Sequence, residues 1–142
     1  MLNLFSPLTL GRIRLSNRII LHAAPSGYAA SGGFADNALT TYYSNRAQGG
    51  AGMLVFEHTH VLPPSDPTIP HLGLYGDAQI AALRQSITTT RLHGSAVLVM
   101  LDQPIRIDSY DSSQLLELGE AFITAAWRAC AANAQGIMLS TA

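Results

Sequence analysis

Two stretches decide the fold: Gly52-Met53-Leu54-Val55-Phe56-Glu57 and Ala96-Val97-Leu98-Val99-Met100-Leu101. Both are short, almost unbroken apolar runs, as expected of strands buried on both faces of a parallel sheet. Each is framed by helical patterns. Before the first, Asp36 or Asn37 can cap a helix through Leu39, Tyr42, Tyr43 and Ala47, ended by Gly49-Gly50. Between the two, Asp77 opens a helix with apolar positions Ile80, Leu83, Ile87 and Leu92, closed by His93-Gly94. After the second, Asp111 or Ser112 starts a helix with one face of Leu115, Leu118, Phe122, Ala125 and Ala129.

Working outward, Arg18 to Ala23 reads as an earlier strand, also buried on both faces, and Gly136-Ile137-Met138-Leu139 as a later one. Leu8 to Leu15, with Gly11 at the turn, reads as an N-terminal hairpin. The order strand, helix, strand, helix, strand, helix, strand predicts an α/β fold with a parallel sheet and right-handed crossovers. An open doubly wound sheet and part of a (βα)8 barrel both satisfy it. No G-x-G-x-x-G follows the first strand, which argues against a dinucleotide-binding domain.

Composition bounds the function. In 142 residues, 48% are hydrophobic and 12% charged, with a net charge of -1. That excludes a disordered chain, and bulk charge offers nothing to nucleic acid or an anionic membrane. Soluble domains carry about 25% charged residues, so the low value predicts a buried partner face or an incomplete domain. All eight basic residues are arginine. One cysteine, Cys130, makes no internal disulfide and suits the cytoplasm; its Ala-rich helix predicts a buried, inert thiol. The first residues lack a secretory pattern, and no apolar run reaches the ~20 residues of a membrane span.

The segments Leu4-Phe5-Ser6-Pro7-Leu8-Thr9-Leu10-Gly11, Asn17-Arg18-Ile19, Tyr42-Tyr43 with Arg46-Ala47 and Gly49-Gly50-Ala51-Gly52, and Phe122 with Ala125-Ala126 and Arg128-Ala129 resemble the Old Yellow Enzyme family. These are NADH:flavin oxidoreductases that include the 2,4-dienoyl-CoA reductases. The resemblance runs over essentially the whole chain, 1–142, as a single domain. It implies the N-terminal half of a TIM-type (βα)8 barrel: about four parallel strands, three helices and the hairpin. A full barrel takes about 250 residues. Four such strands leave two open edges, so the expected partner is a second copy or a complementary half-barrel.

The resemblance also implies FMN at the carboxyl ends of the strands. The matching positions are Ala23, Ala24, Pro25, His58 and Met100. Pro25 stands where the family has Thr or Cys, His58 where a small residue sits near the ring, and Met100 where a Gln bonds the flavin. The family's His-x-Gly-Arg becomes Gln103-Pro104-Ile105-Arg106, and its Glu-Ile-His becomes Met138-Leu139-Ser140. Scaffold letters such as Asn17, Arg46, Gly49, Gly50 and Arg128 are kept. The expectation is a retained scaffold with an eroded FMN site: FMN weak or absent, and the chain a non-catalytic or partner-dependent subunit. The alternative is an FMN-dependent reductase completed by a second half.

The catalytic candidates are Glu57, Asp102, Arg106 and Ser140. Glu57 and Asp102 fall at strand ends where an acid–base pair would lie; the plainer expectation is that Glu57 bonds a neighbouring loop amide. Arg106 suits an anion or an ion pair with Asp102 or Asp108. His22, His58 and His60 are the imidazoles a metal would use, yet no metal-ligand spacing accompanies them, and none is expected. Trp127 and Tyr42-Tyr43 read as core or interface aromatics.

Overall fold

The computed structural model describes residues 1–66, 68, 70–104 and 110–140. Strands β1 (Leu8–Leu10) and β2 (Ile13–Leu15) form the antiparallel hairpin. Gly11 turns it at φ +58°, a left-handed conformation glycine adopts without strain. Then come β3 (Ile20–Leu21), α1 (Asn37–Gln48), β4 (Met53–His60) and β5 (Leu72–Gly73). After these follow α2 (Ala78–Arg91), β6 (Ala96–Asp102), α3 (Ser112–Ala131) and β7 (Gly136–Leu139). The main sheet runs β3-β4-β6-β7 in chain order with every pair parallel, and β5 extends β4 beyond β3.

Alternation along the strands sorts two cores. Leu54 and Phe56 of β4, with Val97, Val99 and Leu101 of β6, pack under the helices with Leu39, Tyr43, Leu83, Ile87, Ala125 and Ala129. Met53, Val55, Ala96, Leu98 and Met100 point the other way, and the hairpin covers them with Leu15, Leu8 and Ile13. β6 is buried along its whole length because it has strands on both edges and cover on both faces. One close approach fixes a glycine: a Cβ on Gly52 would lie 2.6 Å from the Asn17 carbonyl oxygen.

Several sequence expectations need correction. The first strand is two residues long, and Ile20 is 45% exposed, because β3 is a sheet edge rather than a strand buried on both faces. The second strand runs on to His60. Asp77 stands at the start of α2 but makes no capping bond; its carboxylate accepts from Arg128 Nε at 2.7 Å. Gln79 Oε1 instead takes the Gly76 amide. Leu92 lies past the end of α2 and is 79% exposed. Cys130 is exposed, not buried, because α3 turns Ala125 and Ala129 inward and carries residue 130 off that face. Asp36 and Asp111 do cap α1 and α3, accepting from the Leu39 and Gln114 amides.

Candidate functional site

The site grows from an irregularity in β4. Its register against β6 shifts between Phe56 and Thr59. Within this bulge the Glu57 amide donates to the Tyr43 hydroxyl at 2.6 Å. Tyr43 is itself fixed by stacking on Phe56, with ring centroids 3.9 Å apart and planes 11° from parallel. Burial, reinforced by the Glu57 charge, pushes the Tyr43 phenol above its ordinary range and keeps it protonated. Phe56 lies in the core beneath the helices, while Glu57, on the next position, lines the mouth of the sheet. Its side chain is buried, and Glu57 Oε2 accepts from the Ser26 amide at 2.9 Å. That is the loop-amide bond the plainer expectation describes.

A cavity of about 560 Å³ opens here, at the carboxyl ends of β4 and β6. Its apolar wall is Leu62, Pro63, Pro64, Pro70, Pro104 and Tyr110, with Pro25 at one side. Its polar groups include Glu57, His58, His60, His71 and Gln103. His58 Nδ1 lies 2.6 Å from Asp102 Oδ2, joining the ends of the two strands. The His60 and His71 rings stack with centroids 4.8 Å apart. Burial lowers the His60 pKa, and neighbouring His71 lowers it further, so His60 is neutral at neutral pH. His60 Nδ1 is buried without a hydrogen-bond partner. Gln103 Oε1 accepts from the Leu62 amide at 2.9 Å and ties the loop after β4 to the end of β6.

The structure brings only part of the candidate set together. Glu57 and Asp102 occupy neighbouring strand ends, but each is engaged elsewhere, by Ser26 and His58. Asp102 therefore spends its short contact on an imidazole. Arg106 and Asp108 lie outside the described residues. Ser140 donates its amide to the Leu101 carbonyl at the end of β7 and does not line the cavity. Pro25 and His58 line the cavity; Ala23 and Met100 are buried in the inner core instead, and Ala24 is exposed. His22 is exposed, contacts the Ala23 carbonyl oxygen and does not line the cavity. Among the described residues, no three His, Cys, Asp or Glu side chains are grouped to hold a metal ion. His71 and Tyr110 were missed as site residues, and Gln103 was noted only as a departure from the family's His-x-Gly-Arg. The available signal for His71 was its place after Pro63, Pro64, Pro67 and Pro70.

A parallel sheet in chain order, helices on one face and a ligand-sized cavity at the carboxyl ends of the strands define a protein of the TIM-barrel class. The family model described as "NADH:flavin oxidoreductase / NADH oxidase family" matches residues 3–112, and the chain belongs to that family. It is 34% identical over 99 residues to 12-oxophytodienoate reductase 7 of Oryza sativa subsp. japonica, a match covering 69% of this chain and 24% of that protein. It is 34% identical over 106 residues to chanoclavine-I aldehyde reductase of Penicillium roqueforti (strain FM164), covering 71% of this chain and 27% of that protein. A variant of NCR from Zymomonas mobilis superposes with a TM-score of 0.89 at 23% identity, over 98% of this chain and 44% of that one. Morphinone reductase does so at 0.83 and 20%, over 96% and 47%. The chain thus spans about a quarter of the curated relatives and just under half of these solved chains. Its fold is half of a TIM-type (βα)8 barrel.

Proposed function

We propose that this chain is a non-catalytic or partner-dependent subunit of an oxidoreductase assembly, with a barrel scaffold and a mouth no longer built for FMN. One observation carries the reading: the parallel sheet has an open edge at each end. Among the described residues, β3 and β7 each have a single strand neighbour. Beside the β7 edge, Ile137 and Leu139 are exposed, and α3 turns out Leu116, Ile123 and a 72% exposed Trp127. Unpaired edges and apolar faces of this kind are normally covered. The occupant is a second copy or a complementary half-barrel, with no role for nucleic acid or membrane. No helix among the described residues is long and apolar enough to cross a membrane. We also place the chain in the cytoplasm, a compartment its single cysteine suits.

The residues present do not fit a flavin. Met100 buries a thioether in the inner core and offers no N–H donor. Pro25 has no backbone N–H. His58, where a small residue is expected beside the ring, places an imidazole paired with Asp102 in the wall of the cavity. No step through FMN is derived for this chain alone. The test is purification at native stoichiometry with mass and visible absorbance recorded together, since assembly and ligand binding are linked. A colourless oligomer or heteromer of defined stoichiometry is expected. A yellow complex holding one flavin per two halves overturns the non-catalytic reading in favour of an FMN-dependent reductase completed by a second half. A colourless monomer that stays soluble removes the partner.

A further inference from the structure

We infer that a hollow at the amino ends of β6 and β7 binds a small dianionic oxyanion, either free phosphate or the terminal phosphate of a phosphomonoester. It lies at the opposite end of the sheet from the mouth, so it stands apart from the flavin question. Three separate segments build it. Arg14 comes from β2, Arg91, Gly94 and Ser95 from the end of α2 and the loop into β6, and Gln135 from the position before β7. The hollow measures about 180 Å³. That is below the about 300–1,000 Å³ of drug-sized sites and suits a single anionic group.

Its long polar side chains present donors. A guanidinium has five N–H groups, accepts nothing and keeps its charge in a protein. Among the described residues Arg14 has no side-chain hydrogen bond or ion pair. Arg91 spends one N–H on the Asn133 carbonyl oxygen at 3.3 Å. Gln135 Oε1 accepts from the Val97 amide at 3.0 Å, which leaves its Nε2 as the donating end. The Ser95 hydroxyl is spent on the Ala51 carbonyl oxygen. No carboxylate lines the hollow. The described acidic side chains sit at the helix starts, around the mouth or in the first half of α3. The segments outside the described residues adjoin Pro70, Pro104, Tyr110 and Ser140, all at the carboxyl ends of the strands. β6 alone separates the two ends by about 20 Å, twice the ~10 Å over which charges are felt at 0.1 M salt. Two unanswered guanidinia therefore face one hollow. A phosphate carries nearly two charges and three terminal oxygens, enough to take both. A carboxylate answers one, and a cation is repelled.

The test is calorimetric titration of the full chain, in the assembly in which it purifies, in Tris chloride at low ionic strength and mildly alkaline pH. The probes are inorganic phosphate, methyl phosphate, dimethyl phosphate and acetate. Phosphate is expected to bind about ten-fold or more tightly than acetate. Arg14→Gln and Arg91→Gln should each lower its affinity about ten-fold. Both side chains are exposed, so the variants should melt as the parent does; Arg14→Gln, which removes no protein bond, keeps the test valid should Arg91→Gln lose stability. Arg12→Gln takes the same charge from the same hairpin but outside the hollow, and should leave phosphate binding unchanged. Methyl phosphate as tight as phosphate identifies a phosphomonoester as the ligand, and weaker methyl phosphate identifies the free ion; either supports the site. Acetate or the singly charged dimethyl phosphate binding as tightly as phosphate overturns the inference. So does an absence of phosphate binding, or a loss in Arg12→Gln equal to that in Arg14→Gln.

Discussion

Tyr43→Phe isolates the bond that shapes the mouth. The phenyl ring keeps its stacking on Phe56, since the substitution removes one oxygen from a ring only 1% exposed. What disappears is the acceptor for the Glu57 amide at 2.6 Å. That amide lies inside the β4 bulge, in the buried core. Leaving a buried donor unsatisfied costs about 1–3 kcal/mol. For a chain of this size, about 1 kcal/mol moves Tm by about 2–4 °C, so a fall of about 2–12 °C is expected. Tyr42→Phe is the control: Tyr42 is half-buried, and its ring serves Arg46, whose guanidinium carbon lies 3.3 Å from the ring centroid. It should change stability by less than about 0.5 kcal/mol. Both variants are compared with the parent by thermal melting and urea titration at matched concentration and assembly state. A Tyr43→Phe protein as stable as Tyr42→Phe would show that the bulge does not depend on the hydroxyl.

Other outcomes follow from the same geometry. His60 has its pKa lowered from 6.5 by burial, with His71 and His58 adding to the effect and Asp102 opposing it. The unfolded chain therefore takes up this proton more readily than the folded one, and stability should fall as pH drops below about 6.5; His60→Phe should flatten that decline in urea titrations from pH 7.5 to 5. Arg128→Ala loses bonds to the Leu74 carbonyl and the exposed Asp77 carboxylate, and should cost about 1 kcal/mol; a melting curve identical to the parent's would remove Arg128 from the scaffold. Gly52→Ala drives a methyl against the Asn17 backbone and should destabilise by about 1–3 kcal/mol or prevent soluble expression. Ile137→Lys with Leu139→Lys charges the β7 edge and should lower the assembly mass in light scattering; an unchanged mass would place the interface elsewhere.

The apolar runs, their spacing and the cap residues determined the alternation of strands and helices, because burial on both faces of a parallel sheet leaves an unbroken apolar pattern. Ala96 to Leu101 was legible for that reason, and the Asp36 and Asp111 caps because their chemistry is local; Gly136 to Leu139 shows the same apolar run although Ile137 and Leu139 are exposed at the sheet edge. The retained scaffold letters gave the family. Glu57, His58 and Asp102 stood out as strand-end residues, yet nothing local said that Asp102 would pair with His58 across 44 positions rather than with Glu57 or Arg106. Such choices depend on strand register, and the bulge after Phe56 sets it. The same dependence hid His71, which reaches the mouth only because its loop returns to pair β5 with the end of β4. Cys130 and Ile20 were misjudged because composition reports that a segment is apolar, whereas helix rotation and position in the sheet decide which side of it meets water. Sequence fixes local preference and pattern; the long-range pairing that assembles a site is an outcome of packing, and only the tertiary structure decided it.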